Sequence, residues 1–366
     1  MNDRKPRRQR RRSRNGFVDI LNGLLGLLVL GLLVAGGLFF YGASQFYGPG
    51  PLQQDTTFRV ESGAGISSVS ARLEEQGLIS NRFVFQFGGR ALEQATGIKQ
   101  GDFRIPAGAS MADILTELSQ GNPIRYAVTI PEGWTSWEVV QRLDDTPDLI
   151  GPVSALPPEG SILPGSYDFT PGDTRQSVLD KMQLAMADAL ADVWETRQAD
   201  LPLKSPEELL VLASVVEKET GVATERPQVA AVFVNRLRAG MRLQSDPTII
   251  YGITKGQTTL GRGLKRSEIE GKTAYNTYQI DGLPPTPIAN PGIDALKAVA
   301  NPDDHNYLYF VAKGALPSEG HVFSETYAEH QKNVAEYRKV ASEAEAARKA
   351  LEDEQATQAG DAPAAQ

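Results

Sequence analysis

The feature that most limits how this chain can fold is an uncharged apolar run near its start, from Ile20 to Ala43. As a helix, a run of this length rises more than ~30 Å, which is enough to cross the hydrocarbon core of a bilayer. Eight Lys or Arg residues against one Asp precede it within residues 1–14. Because basic residues mark the cytoplasmic side of a span, the sequence predicts a single-pass anchor with a cytoplasmic N-terminus.

Two other interpretations compete for this segment. A cleaved signal peptide would have a shorter apolar region followed by a small-residue cleavage site, and no convincing site follows this run. The arginine run could instead be an arm that binds nucleic acid. Its position directly beside an apolar span favours the anchor, so we expect no nucleic-acid partner and a body that lies outside the cytoplasm.

The composition bounds the chemistry of that body. The 366 residues suffice for two domains, and the absence of cysteine excludes disulfides, thiolate nucleophiles and cysteine-based metal sites. The three histidines have no metal-ligand spacing, and there is no phosphate-binding loop or nucleotide fingerprint. We therefore expect no metal and no cofactor.

After a Gly- and Pro-rich linker, a short β-like run, a turn with glycine and an amphipathic helix recur three times, beginning at Phe58, Phe103 and Val128. Each helix is expected to start at a Ser or Thr cap. This unit resembles a LysM-type module, which grips glycan chains in known cases, although a plain α+β packing unit explains the pattern as well. Later segments predict further helices and a hairpin, so the fold class is α+β.

The most unusual later segment is "LLVLASVVEKETG", an apolar helix that runs directly into two glutamates. Residues two apart on a helix point about 200° away from each other, so Glu217 and Glu219 cannot serve one cleft as a pair. Ser214 shares the side of Glu217, where small residues leave room for a ligand. Partial burial would raise the Glu217 pKa towards that of a general acid. The alternative is that both carboxylates are surface groups or partners of the next helix.

Two loops that follow carry polar and aromatic side chains suited to a saccharide cleft, where rings stack and hydroxyls form hydrogen bonds. Their candidate residues are Asn235, Arg236, Arg242, Gln244, Asp246, Tyr251, Tyr275, Asn276 and Tyr278. Each could equally brace a loop, and Asp246 before Pro247 could be a helix cap.

The segments "LASVVEKETG", "ERPQVAAVFVNRLRAGMRLQSDPTIIYG", "TAYNTYQIDGLPPTPIANPG" and "YLYFVAKG" closely resemble, in order, the motifs of the YceG-like family of MltG-type endolytic murein transglycosylases. The resemblance covers roughly Phe58 to Tyr337. It implies a LysM-like part and a catalytic domain that act on peptidoglycan glycan strands in the periplasm. The family's catalytic glutamate, taken as the first of E-K-E-T, falls on Glu217. The family often has P-D-T-Y where this chain has "PGSY", which loses an Asp but keeps Tyr167.

With this resemblance, the predicted organisation has six parts. They are a basic cytoplasmic tail (1–17), a transmembrane anchor (18–43), a linker (44–57), a LysM-like module (58–126), a mixed α/β catalytic domain (127–337) and a solvated helix with a disordered tail (338–366). The predicted location is the bacterial inner membrane, and the implied partners are glycan strands and possibly the peptidoglycan synthases known as penicillin-binding proteins.

One acid is enough for the implied reaction. A lytic transglycosylase lets the C6 hydroxyl of N-acetylmuramic acid (MurNAc) attack its own C1, which leaves a 1,6-anhydro end, with Glu217 as acid and base. Substrate contacts are expected from Ser214, Asn235, Gln244, Asp246, Tyr251, Tyr275, Asn276, Tyr278 and Tyr167, whereas Glu219 is expected to affect only stability. Two alternatives are an inverting muramidase with Asp246 as base and a non-catalytic glycan-binding scaffold that recruits synthases.

Overall fold

The computed structural model describes residues 16–360, in which helices alternate with short antiparallel strand pairs. The predicted mixture of helix and sheet is confirmed. Most of the predicted basic tail, and the last six residues of the predicted disordered tail, lie outside the described residues. The chain divides into two compact units, one ending at Arg125 and one beginning at Tyr126.

The first helix, α1 (Gly16–Tyr47), contains the apolar run. Its stretch Ile20–Tyr47 is long and apolar enough to cross a membrane, judged by length and composition. The helix ends four residues beyond the predicted end of the anchor, and Phe46 in its last turn is buried in the core of the first unit. Residues 44–47, which the sequence assigned to a linker, are therefore helical.

The rest of the first unit contains two strands and three helices. They are β1 (Thr56–Val60), α2 (Ile66–Glu75), α3 (Arg82–Ala91), β2 (Gly101–Ile105) and α4 (Met111–Gln120). Strands β1 and β2 pair antiparallel, with Phe58 opposite Phe103, and both rings are fully buried. Helix α4 begins with a complete capping box at Ser110, as expected. Helix α2 begins instead at Gly65, without a side-chain cap.

The second unit contains four strands and eight helices among the described residues. They are β3 (Tyr126–Ile130), α5 (Ser136–Asp144), β4 (Gly165–Phe169), α6 (Arg175–Glu195), α7 (Pro206–Glu219), α8 (Arg226–Arg238), α9 (Asp246–Thr254), α10 (Arg266–Glu270), α11 (Ile293–Ala300), β5 (Tyr309–Ala312), β6 (His321–Ser324) and α12 (Tyr327–Gly360). Strand β3 pairs with β4, and β5 with β6 as the predicted hairpin.

Helix α7 is the central element of the second unit. All residues of α7 from Leu209 to Val216 except Leu210 are buried, and they pack among α6, α8 and α11. Burial of each Leu or Val side chain stabilises the fold by roughly 1.5–3 kcal/mol. The Ser205 hydroxyl accepts the Glu208 N–H at 3.4 Å, and Pro206 occupies the first helical position, where its missing N–H costs nothing. This packing fixes the direction in which the last residues of α7 project.

Candidate active site

The end of α7 places its two glutamates in different surroundings. Glu217 contacts α8 and the start of α11, whereas Glu219 faces Arg236 of α8 and the residues at the start of α9. Residues two apart on a helix point to different sides of it, so the two side chains project in different directions. The two carboxylates therefore belong to two sites, which differ in what surrounds them.

The Glu217 carboxylate is held by partners on both oxygens. Its Oε1 accepts from Arg226 Nη2 at 3.4 Å, and its Oε2 accepts from the backbone N–H of Gly292 at 2.9 Å. The side chain is only 5% exposed. Burial raises the pKa of Glu217, while the Gly292 N–H and the Arg226 charge oppose that rise.

Arg226 connects Glu217 to the turn after β3. Its Nη2 also donates to Glu132 Oε2 at 2.8 Å, and its Nη1 lies 3.8 Å from Asp294 Oδ2. In addition, Lys218 Nζ donates to the Gly133 carbonyl at 3.2 Å. The contacts of Glu217 and Lys218 thus connect four segments of the second unit: α7, α8, the start of α11 and the turn after β3.

Glu219 is in a different electrostatic position. Burial raises the pKa of its carboxyl to about 7; the Ser245 hydroxyl and Arg236 oppose the rise, and the nearby Asp246 charge adds to it. The pKa of this carboxyl therefore lies near neutral pH. A group that both gives and takes a proton needs a pKa of this kind.

Arg236 and Tyr278 complete the surroundings of Glu219. The Arg236 guanidinium donates to the carbonyls of Leu308 and Leu243, so its orientation is fixed by the backbone. The Tyr278 hydroxyl donates to Asp246 Oδ1 at 2.7 Å. Burial raises the pKa of Tyr278, and the bond to Asp246 raises it further, so the hydroxyl remains a donor. We call Glu219, Arg236, Ser245, Asp246 and Tyr278 the Glu219 cluster.

The loop before α9 is pinned to the loop that carries Tyr278. The Gln244 N–H donates to the Thr277 carbonyl at 3.1 Å, and the Ser245 N–H donates to the Thr277 hydroxyl at 2.9 Å. Gln244 has a φ of 53°, in the left-handed region that is costly for residues other than glycine. The Gln244 side chain is exposed, and the residue directly precedes Ser245 and Asp246 of the cluster in sequence. A strained residue next to a candidate acid is typical of functional sites.

Four of the predicted substrate-binding residues have structural partners instead. Ser214 and Asn276 are fully buried. The Ser214 hydroxyl donates to the Val211 carbonyl and accepts the Ile288 N–H. The Asn276 amide donates to the backbone carbonyls of Glu268, Ile269 and Gly271. The Asn235 amide donates to the carbonyls of His305 and Tyr307, and the Tyr167 hydroxyl donates to the Leu163 carbonyl. These contacts are of the kind that hold loops in place, the alternative left open by the sequence, and substrate contact by the four residues stays a prediction.

Tyr251 and Tyr275 form a separate aromatic pair. Their ring centroids are 5.2 Å apart, and Lys255 Nζ lies 4.3 Å from the Tyr275 centroid. Tyr251 follows Asp246 by five residues on α9 and so points about 140° away from it. Burial raises the pKa of Tyr251, as does its bond to Glu159. Of the predicted contact residues, the structure thus brings only Asp246 and Tyr278 to Glu219.

Two members of the Glu219 cluster, Glu219 and Ser245, are not among the candidates that the sequence indicated for substrate contact or catalysis. A signal for Ser245 did exist, because it stands directly between Gln244 and Asp246. No sequence rule, however, says which side of α7 faces the loops after α8. That choice depends on how the buried helices pack.

Comparison with known proteins identifies the family. The model of the YceG-like family matches residues 58–336. Two relatives bear the name endolytic murein transglycosylase. The Bacillus subtilis (strain 168) protein is 28% identical over 83% of this chain and 91% of its own length. The Streptococcus pneumoniae serotype 2 (strain D39) protein is also 28% identical, over 85% of this chain, which spans 64% of that relative.

A solved structure of a YceG-like protein from Listeria monocytogenes is also similar. It is 26% identical, and the match covers 76% of this chain and 99% of that one with a TM-score of 0.46. The family model covers well over half of the chain, and the predicted resemblance is thereby confirmed. The chain belongs to the YceG-like family.

Proposed function

We propose that the chain is a membrane-anchored endolytic lytic transglycosylase that cleaves peptidoglycan glycan strands. Its family and the printed names of its curated relatives support this activity. The arrangement that carries it in this chain is a buried carboxyl, Glu219, near the backbone-held Arg236 and the hydrogen-bonded pair of Tyr278 and Asp246; burial raises the pKa of this carboxyl to about 7. Such a site has one group suited to exchange protons at neutral pH.

The family motif implies Glu217 as the general acid, and burial raises its pKa as well; within this proposal we favour Glu219. Both oxygens of Glu217 already accept hydrogen bonds from this chain. Glu219 is held in the protonated form to a higher pH by burial and by the charge of Asp246.

The reaction needs no water. The Glu219 carboxyl donates its proton to the glycosidic oxygen as the bond between that oxygen and C1 of MurNAc breaks. The C6 hydroxyl of the same sugar then bonds to C1, and the Glu219 carboxylate takes its proton, which restores the acid. Because attacking and departing groups belong to one held strand, the attack is intramolecular and needs no second base.

The neighbours of Glu219 have distinct tasks. The Asp246 carboxylate, which accepts from Tyr278, offers a negative charge that stabilises the oxocarbenium-like transition state. The exposed Gln244 side chain orients the saccharide. Arg236 lies behind the carboxyl, held by two carbonyls, and stabilises Glu219 when it is ionised.

An inverting muramidase is the second candidate function, because Asp246 is an exposed carboxylate close enough to raise the Glu219 pKa. In that reaction Asp246 would activate a water. The products distinguish the two: the transglycosylase leaves 1,6-anhydro-MurNAc ends, lighter than hydrolytic ends by the mass of one water. Mass spectrometry of glycan strands digested by the full chain in detergent tests this, and reducing ends would establish the muramidase instead.

The remaining parts of the chain fit a cell-wall role. We propose that α1 anchors the protein in the bacterial inner membrane with its N-terminus in the cytoplasm, and that the second unit acts in the periplasm. The first unit, with strands β1 and β2 and three helices, is proposed as the LysM-like module that holds the glycan strand. Cleavage within nascent strands, beside peptidoglycan synthases, is the proposed biological role.

A further inference from the structure

An apolar groove of about 500 Å³ lies between the last turns of α1 and the helix α3. Its walls are apolar on both sides, with Phe39 and Tyr47 from α1 and Phe83 and Phe87 from α3 among the lining residues. Phe83 is 66% exposed and Phe87 is 68% exposed. Two large rings this exposed, one helical turn apart, require an explanation in a module otherwise built around a buried core.

The contact between the two helices fixes where α3 lies along α1. The ring of Phe46 packs so closely on Gly88 that a Cβ at Gly88 would come within 2.2 Å of it. The stretch Ile20–Tyr47 has 28 residues, which as a helix rises about 42 Å, or about 12 Å more than a hydrocarbon core. If the first twenty residues of this stretch cross the hydrocarbon core of the bilayer, its last eight residues, which include Phe46, lie at the outer interface. Helix α3 therefore lies at the same depth.

The residues of α3 are those of a helix that lies in a membrane interface. Phe83, Phe87 and Arg90 follow each other at i, i+4 and i+7, so they share one exposed side. The Arg82 guanidinium lies 4.9 Å from the Phe83 ring centroid. Aromatic rings beside arginines are typical of the headgroup level, where the rings enter the acyl boundary and the guanidiniums reach phosphates.

We infer that α3 is a second membrane contact: Phe83 and Phe87 insert into the outer interface of the bilayer, and lipid fills the groove between α3 and α1. The inference rests on the proposed anchor and goes beyond it, because a single span leaves a module free to turn about the membrane normal. Two contacts fix the orientation of the first unit, so that the module stays against the surface of the bilayer.

Site-directed spin labelling tests this inference in the full chain, which contains no cysteine to remove. Single variants Phe83→Cys and Phe87→Cys carry a nitroxide, in vesicles of phosphatidylethanolamine and phosphatidylglycerol. The matched references are Leu30→Cys within the proposed span and Glu75→Cys, an exposed polar position at the end of α2. The measurement is the accessibility of each label to oxygen, which concentrates in lipid, relative to a water-soluble nickel chelate.

We expect the oxygen-to-nickel ratio at both phenylalanine positions to exceed that at Glu75 several-fold and to approach that at Leu30. Equal ratios at Phe83, Phe87 and Glu75, with a high ratio at Leu30, would overturn the inference and leave the anchor intact. A low ratio at Leu30 would instead overturn the anchor and this inference with it. Dipolar broadening at Phe87 that disappears on dilution with unlabelled chain would show that a second copy, not lipid, covers the groove.

Discussion

At the scale of single residues, two glutamates separated by one lysine have different surroundings. The Glu217 carboxylate accepts hydrogen bonds from Arg226 and from the Gly292 N–H. Glu219 is surrounded by groups that tune its charge, from Ser245 and Arg236 to Asp246. The chemistry of a carboxylate is thus decided by what packs around it, which the sequence "EKE" alone does not reveal.

The raised pKa of Glu219 gives the reaction a predicted pH dependence. The acid must be protonated to start the reaction, so kcat should fall by about tenfold per pH unit above about 7. The measurement is the rate of anhydro-end formation by the full chain between pH 5 and 9, with saturating strands. A rate that rises steadily through this range would contradict a protonated Glu219 as the acid.

The same pKa makes a prediction about stability. Because the folded pKa of about 7 lies above the ordinary glutamate value of 4.5, the native state binds more protons between these two values. The contribution of Glu219 is therefore fully present below pH 4.5 and is lost as the pH rises through about 7, by roughly 3 kcal/mol in all.

Replacement Glu219→Gln removes this titration. Compared with the wild type, we expect the variant to gain up to about 2–3 kcal/mol in free energy of unfolding between pH 4.5 and pH 8. Urea denaturation of both proteins at the two pH values measures the difference. A difference that does not change with pH would show that the Glu219 carboxyl is not buried in the folded protein.

Two substitutions of Gln244 separate the effect of its proposed saccharide contact from the effect of its backbone strain. The left-handed backbone at this residue costs about 1–2 kcal/mol for a side chain other than glycine. Gln244→Gly should therefore raise the free energy of unfolding by about 1 kcal/mol, whereas Gln244→Ala keeps the strain. If the amide orients the saccharide, both variants lose kcat/KM to the same extent. Unchanged kcat/KM in both would remove Gln244 from the site.

At the scale of elements, helix α7 shows what local patterns can and cannot predict. Its start was predictable, since Ser205 and Pro206 are a standard cap and first residue. Its burial was predictable from the unbroken apolar run. The surroundings of its last turn were not, because no periodicity specifies how α8 packs on α7 or that Gly292, 75 residues after Glu217, comes to lie beside it. Helix α2 makes the same point, since it begins at Gly65 without the expected cap.

The junction around Glu217 predicts a loss of stability when that carboxylate is removed. Glu217→Ala leaves the Gly292 N–H and part of Arg226 without partners, at a cost of about 2–3 kcal/mol. Glu217→Gln keeps an acceptor and should cost about half as much. Urea denaturation at pH 7 measures both, with Glu207→Ala, an exposed residue of the same helix, as the control. A loss no larger than that of Glu207→Ala would contradict the structural role.

At the scale of the whole molecule, the long apolar helix α1, the α+β class and the hairpin of β5 and β6 followed from sequence patterns, because each depends on local periodicity or on length. Most of the candidate site did not follow from such patterns. Ser214, Asn276 and Asn235 have the side chains of a sugar cleft, yet they bond to backbone carbonyls of loops that only the folded chain brings close. Polar side chains brace loops as often as they bind ligands, and the difference lies in their partners.

The measurement that tests the central claim most directly is the rate of anhydro-end formation by Glu217→Gln and Glu219→Gln, with the urea unfolding curve of each recorded in the same preparation. If Glu219 is the acid, its variant should lose about 10²–10⁴-fold in kcat while remaining folded, and the Glu217 variant should stay within about tenfold of the wild type. A folded Glu219→Gln protein that still cleaves, beside a folded Glu217→Gln protein that does not, would contradict this account.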